Sequence, residues 1–245
     1  MAPRVHAAQA TGIATLTLDS PGNRNALSAD LVAELRSALA ATAADTAVRA
    51  VVLTHTGTTF CAGADLKSPC DPADFLALLR ETAELPKPVV ARVTGHVRAG
   101  GLGLLGVCDI AAAGPQSSYA FTETHLGLAP AVISMPLLPR LDPRAAARYF
   151  LTAEAFDAAE AARIGLLTLH GDDVDATLEP VLAGLRKASP QGLAATKALT
   201  SAAVREALTR DGSRLTELSA GLFASAEARE GITARFERRE PSWSL

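Results

Sequence analysis

Two short loops and one acid carry most of the chemistry that can be read from this chain. The loops are Phe60-Cys61-Ala62-Gly63-Ala64-Asp65-Leu66 and Arg98-Ala99-Gly100-Gly101-Leu102-Gly103, each preceded by an apolar run that reads as a buried strand. Small residues let a ligand carbonyl approach the backbone, and a helix start adds unsatisfied N–H donors with a favourable dipole. Two such donors converging on one oxygen would stabilise an oxyanion, often the largest electrostatic contribution to this kind of catalysis. Glu123, between Phe121 and Leu126, is a lone acid in an apolar setting. Desolvation there would raise its pKa toward the range useful for proton transfer.

A competing motif lies in the same stretch. Gly101-Leu102-Gly103-Leu104-Leu105-Gly106 matches G-x-G-x-x-G literally, with Glu123 near the distance of a ribose-binding acid. A dinucleotide fold places that turn directly after a strand, usually its first. Here Thr94 to Gly100 intervene and the strand is not the first. A glycine-rich helix start packed against a sheet explains the same letters. No Gly-Lys-Ser/Thr follows to make a Walker-type loop.

The elements that must position these residues alternate along the first 140 positions. Val5 to Ala8 and Ile13 to Leu18 read as a hairpin around Thr11-Gly12. Ser28 caps a helix running to about Ala44, with Leu31, Leu35 and Leu39 recurring on one face. Val48 to Thr54 and Pro88 to Thr94 read as buried strands, and Asp71-Pro72 opens a helix ending before Pro86. A helix begins near Gly100-Gly101, and Ile110 to Ala113 and Tyr119 to Phe121 are short strands. After Pro139 the chain is mostly helical, with one apolar stretch at Ile164 to Leu169 and a last helix from Glu227 to Arg239. The pattern predicts an α/β coil of ββα turns over residues 1–190. Residues 191–245 form a helical region that completes the fold and buries its apolar faces on neighbouring subunits.

Composition narrows the class. The chain has 245 residues, 49% hydrophobic and 20% charged, enough for one large core. A net charge of −3 without a Lys/Arg stripe argues against nucleic-acid binding. Cys61, Cys70 and Cys108 form an odd set without metal-ligand spacing, which predicts reduced thiols in a cytoplasmic protein and no metal site. The start lacks a signal-peptide stretch, and no run approaches the roughly 18 to 20 apolar residues of a membrane helix.

Both loops in this order resemble the crotonase (enoyl-CoA hydratase/isomerase) superfamily, and the resemblance spans essentially the whole chain. Asn25-Ala26-Leu27-Ser28 is similar to its N-A-L segment, and Phe60 to Leu66 to its F-x-A-G-A-D-[LI] loop. Pro86-Lys87-Pro88-Val89-Val90-Ala91 and Cys108-Asp109-Ile110 resemble its P-K-P strand and C-D-[IL] segment. Glu123, Leu126-Gly127 and Pro130 resemble E-x-x-L-G-x-x-P, and Phe236 to Pro241 the F-x-E-[KR]-R-x-P ending.

The resemblance implies a spiral fold with a C-terminal trimerisation region, an acyl-CoA thioester substrate, and homotrimers or hexamers. No cofactor is implied beyond the CoA of the substrate itself. The N–H groups of Ala64 and Gly100 would form the oxyanion hole, with Glu123 as acid/base. Ala62, Leu66, Ala26 and Leu27 would line the CoA channel, and Asp65 sits among them, its plainer role being to cap the loop. Arg24 would meet a CoA phosphate or remain a solvated surface arginine. Arg239 would reach the adenosine phosphate, at a neighbouring subunit, or serve as a salt-bridged helix end. His125 would share a face with Glu123 if that segment is extended, and would orient it or carry a second proton. His96, before the second loop, reads more readily as turn packing than as part of an acyl pocket.

One departure stands out. Two-glutamate relatives carry G-G-x-E after the second loop, and this chain has Gly103 at that place. Hydration of a 2-enoyl thioester needs one group to activate water and one to protonate C2. A 1,3-proton shift needs a single base. The loss of one acid favours isomerase-type chemistry, the family's commonest activity favours hydration, and an acyl-CoA-binding relative without turnover is the non-enzymatic alternative.

Overall fold

The computed structural model describes residues 3–245. The chain starts with a hairpin, β1 (Val5–Ala10) and β2 (Ile13–Leu18), paired antiparallel across Thr11 and Gly12. Both turn residues have positive φ, 46° and 79°, as a tight hairpin turn with the right-handed strand twist requires. Helix α1 (Ala29–Ala44) starts where Ser28 accepts a hydrogen bond from Leu31 N, and it buries Leu31, Val32, Leu35 and Leu39.

Three strand–strand steps then follow. In the first, β3 (Ala50–His55) and β4 (Thr59–Cys61) precede α2 (Pro72–Glu84), which Asp71 caps. The second runs β5 (Val89–Val93), β6 (His96–Arg98) and α3 (Gly100–Val107), and the third opens with β7 (Ile110–Ala113) and β8 (Ser118–Ala120). In each step the first strand joins a six-stranded sheet and the second a four-stranded one. The larger sheet has β2, β3, β5 and β7 side by side and parallel, and the smaller has β4, β6 and β8 in the same order. That repetition is the spiral of ββα units expected from the sequence. Strand bounds differ at the ends: β1 runs two residues beyond Ala8, β3 starts at Ala50 rather than Val48, and β8 ends before Phe121.

The remainder is mainly helical. It comprises α4 (Ala131–Leu137), α5 (Pro143–Thr152), a short β9 (Phe156–Asp157), α6 (Ala158–Arg163), β10 (Leu169–His170), α7 (Val174–Lys187), α8 (Pro190–Thr200), α9 (Ala202–Phe223) and α10 (Ala226–Glu237). Of the apolar stretch Ile164–Leu169, only Leu169 is in a strand; Ile164, Leu166 and Leu167 are buried in the turn before it. Helix α9 lies on α2 and α4, and its Val204, Ala207 and Leu208 enter the main core. The late helices therefore bury apolar faces on their own subunit. No helix among the described residues is long and apolar enough to cross a membrane.

Helix α8 is fixed by a buried ion pair. Lys197 Nζ stands 2.8 Å from Asp109 Oδ2 and donates to the carbonyls of Thr82 (2.8 Å) and Lys87 (3.1 Å). Asp109 Oδ2 also accepts Val89 N at 2.7 Å. All three ammonium protons thus find acceptors, and one carboxylate joins α8 to the start of β5. Burial outweighs Asp109's attraction and holds the Lys197 pKa below its ordinary value. Removing one partner of a buried pair typically costs about 3–5 kcal/mol. Lys197→Met should lower stability by that amount in urea denaturation, whereas loss of the exposed Arg163–Glu160 pair should shift it by less than about 1 kcal/mol. Equal, small effects of the two substitutions would show that α8 is held by something else.

Candidate active site

The parallel pairing of β4 with β6 sets the two glycine loops side by side at one edge of the smaller sheet. Leaving β4, the chain reverses at Gly63, whose φ of +88° suits glycine. Gly63 O accepts Leu27 N at 2.8 Å, and Asp65 N donates to Leu27 O at 3.3 Å. The 26–28 segment is thereby strapped to the loop, and the Ala64 amide between these bonds donates to no backbone carbonyl among the described residues. Leaving β6, Ala99 takes φ 48° and ψ −121°, and its N–H is held by Ala120 O at 3.1 Å. Gly100 then opens α3, so its N–H is one of the helix's unsatisfied donors.

These two free amides lie close together. A Cβ built on Gly63 would sit 3.3 Å from Gly100 N, and one on Gly100 would sit 3.7 Å from Ala64 N. The same Gly63 Cβ would come within 2.8 Å of Ala99 Cβ, so the loops meet at van der Waals limits. Gly101 serves a different need: a Cβ there would strike Cys61 at 2.8 Å, where α3 crosses β4.

Glu123 projects into the same cavity, a space of about 280 Å³ also lined by Ala64 and Gly100. Its backbone is helical, φ −60° and ψ −44°, and opens a 3-10 turn at Thr124–Leu126. The Glu123 carbonyl accepts both Leu126 N (2.9 Å) and Leu128 N (3.0 Å). Gly127 closes the turn with φ +69° and fits directly under α10: a Cβ there would lie 2.7 Å from Glu227 C. Gly231 of α10 likewise abuts the Leu126 backbone. The C-terminal helix thus braces the turn that carries the acid.

The carboxyl is 8% exposed, and Oε2 has no hydrogen-bond partner among the described residues. Burial raises the Glu123 pKa from an ordinary 4.5 to about 7, opposed only by its own backbone amide. Such a group can both accept and return a proton near neutrality.

The walls are apolar and come from several elements. Leu27, Ala62 and Leu66, three of the residues that the resemblance assigns to a CoA channel, line this cavity on the loop side. Pro69, Cys70, Pro72 and Phe75 form another part of the wall, and Phe223 and Arg235 reach it from the last two helices. Burial pushes the Cys70 thiol up to about 11, so it is a neutral wall rather than a nucleophile. Ile133, Phe223 and Arg235 were not foreseen from sequence, because each reaches the cavity only through the packing of helices.

The other expected residues stand elsewhere. Ala26 is buried behind the lining. Arg24 is exposed and off the cavity; its carbonyl accepts Ala62 N at 3.1 Å, so its backbone rather than its charge shapes the loop. Asp65 caps the loop, accepting Lys67 N, Ser68 N and Asn23 Nδ2. His125 is corrected by the 3-10 turn: the segment is not extended, and the imidazole is exposed and does not line the cavity. His96 is exposed and bonds Ser118 Oγ at 2.9 Å. Arg239 pairs with Glu230 (2.6 Å) and Glu237 (2.7 Å) on its own chain and also lies off the cavity. No cluster of three or more His, Cys, Asp or Glu that could hold a metal occurs among the described residues.

Relatives share this arrangement of the chain. Residues 8–245 match the profile of the enoyl-CoA hydratase/isomerase family. A solved enoyl-CoA hydratase from Mycobacterium avium is 52% identical and superposes with a TM-score of 0.92, covering 100% of both chains. One from Shewanella pealeana ATCC 700345 is 32% identical, with a TM-score of 0.77 over 98% of this chain and 96% of its own. A mevalonyl-coenzyme A hydratase of Aspergillus fumigatus is 30% identical over 94% of this chain and 91% of its own length. The chain therefore belongs to the enoyl-CoA hydratase/isomerase family and is an enzyme of that acyl-CoA type.

Proposed function

We propose that this enzyme forms a thioester enolate, holding its oxygen on the N–H groups of Ala64 and Gly100 and moving the proton with Glu123 alone. The observation that carries the reading is the buried Glu123 carboxyl, whose Oε2 has no hydrogen-bond partner among the described residues, in the cavity bordered by those two free amides. Among the residues lining that cavity, Glu123 is the single carboxylate. A lone base suits a 1,3-proton shift between 3-enoyl and 2-enoyl thioesters. Glu123 takes a proton from C2, the electrons move to the thioester oxygen, and the same proton returns at C4. Hydration is the second reading, favoured by the names of the relatives; it requires Glu123 to serve both proton transfers.

CoA enters as part of the substrate. Leu27, Ala62 and Leu66 line its channel in this reading, while Arg24 and Arg239 act on CoA phosphates only after reorientation or in an assembly. Exposed Leu138, Leu151, Leu199 and Phe236 offer apolar surface for the trimers or hexamers that the resemblance implies. Three free cysteines suit a reducing compartment, the cytoplasm.

Incubation with 3-hexenoyl-CoA and with crotonyl-CoA, followed by product analysis, separates the two readings: we expect double-bond migration to exceed hydration. Glu123→Gln should lower turnover by about 10²–10⁴-fold without loss of acyl-CoA binding, and unchanged turnover would end the lone-base reading. In the unmodified enzyme, the rate should rise with pH and level off above about 7, where Glu123 is ionised.

Stability gives an independent check. A folded pKa above the unfolded one means the native state binds more protons, so stability falls as pH rises from about 4.5 to about 7. Glu123→Gln should therefore gain on the unmodified protein across that window, reaching about 3 kcal/mol above it. A difference that does not vary with pH would contradict the assigned shift.

The hole is tested at Gly63. Gly63→Ala places a Cβ against Ala99 at a position with φ +88°, which should part the loops and lower kcat by about 10²–10³-fold. Full activity in that variant would mean the amides do not act together.

A further inference from the structure

Helix α3 presents Gly100 and Gly103 on one face, a turn apart. Gly100 borders the cavity; Gly103 is buried and does not reach it. What covers Gly103 is Ile133 of α4. A Cβ on Gly103 would lie 2.5 Å from Ile133 Cγ2, 2.9 Å from its Cβ and 3.4 Å from its Cα. The crowding thus reaches the backbone of α4 and is not confined to the end of a flexible side chain. Ile133 is 4% exposed and itself lines the cavity. A β-branched residue in a helix has one strongly preferred χ1 rotamer, so it has little freedom to swing aside.

We propose that Ile133, seated on Gly103, determines which reaction this site performs. It fills the ground from which a second carboxylate would act and lines it with methyl groups. A water poised for attack needs two to four polar partners, and the Gly103–Ile133 contact supplies none. In hydration, the water oxygen bonds to C3, one group takes the water proton and a proton is delivered to C2. With Ile133 in place, Glu123 instead takes a proton from C2 of a 3-enoyl thioester and returns it at C4 of the dienolate, with no water added. This rests on the lone-base reading given above.

The pair is also coupled. Gly103→Glu alone drives a side chain into Ile133, and Ile133→Ala alone opens space without adding an acid. Four proteins test this: the unmodified enzyme, Gly103→Glu, Ile133→Ala and the double variant. Each is fed 3-hexenoyl-CoA and crotonyl-CoA, and the ratio of 3-hydroxyacyl to 2-enoyl product is measured. The double variant should gain crotonyl-CoA hydration by about 100-fold, the lower end of what a positioned acid or base contributes. Gly103→Glu alone should gain none. An equal gain in Gly103→Glu alone would overturn the role of Ile133, as would a folded double variant that binds crotonyl-CoA but adds no water. Ile133→Ala provides a separate readout, since its product ratio should shift toward the 3-hydroxyacyl thioester; an unchanged ratio overturns the proposal. Failure of the lone-base reading looks different: Glu123→Gln would then isomerise 3-hexenoyl-CoA at the unmodified rate, whatever the two position-103 variants do.

Discussion

The approach of two loops at van der Waals limits is the constraint on which the rest of this structure depends. Strands β4 and β6 are neighbours, so their exits emerge together, and Gly63 faces Ala99 without a side chain between them. Everything that turns the amides inward follows from fixing the backbone on either side. Gly63 O and Asp65 N are occupied by Leu27, which leaves the intervening Ala64 amide free. Ala99 holds a φ of 48° with ψ −121°, a conformation costing on the order of 1–3 kcal/mol for a residue with a Cβ. Its bond to Ala120 O sustains that strain. The result is a pair of donors already in place, which do not have to reorganise when charge develops.

The acid is held by a different part of the chain. Glu123 sits on a one-turn 3-10 segment whose back is pressed by α10 through Gly127 and Gly231. The last helix is therefore not an appendage to the spiral: its Ala228 shares a small apolar cluster with Leu126 and Leu128, beside the turn that carries Glu123. Local unfolding of α10 would loosen the acid before it disturbed the sheets.

Much of this was legible because the informative residues are local. Glycines next to strand ends, the Ser28 and Asp71 caps, and apolar runs each act within a few residues, so the elements of the spiral could be read from the chain; the roles of Ala64, Gly100 and Glu123 rested on the family resemblance of the motifs that hold them. Three features depend on more than local sequence. His125 follows Glu123 by two, which puts both on one face only in a strand; Gly127 in the left-handed region and the hydrogen bonds that Leu126 N and Leu128 N donate to the Glu123 carbonyl make a turn instead. Arg239 has two carboxylates within reach on its own chain, and Glu230 lies nine residues back, across the end of α10. Ile133 was invisible for a further reason. Its importance lies in what it touches, and no pattern around position 133 announces a contact with Gly103, thirty residues earlier on another helix.

Two buried ionisable groups show how physical context separates support from function. Lys197 is 4% exposed and Glu123 is 8% exposed, so both are removed from water to a similar degree. Lys197 has three acceptors, one of them charged, and Glu123 has an oxygen with none. A satisfied buried charge specifies geometry, here the seating of α8 against β5. An unsatisfied one destabilises the fold above its pKa and persists only where selection acts on something other than stability. The fold tolerates that cost because the turn beneath Glu123 is pinned by α10, so the carboxyl cannot relieve its desolvation by swinging to solvent. The same pinning that makes the group expensive keeps it in the cavity that Ala64 and Gly100 also line.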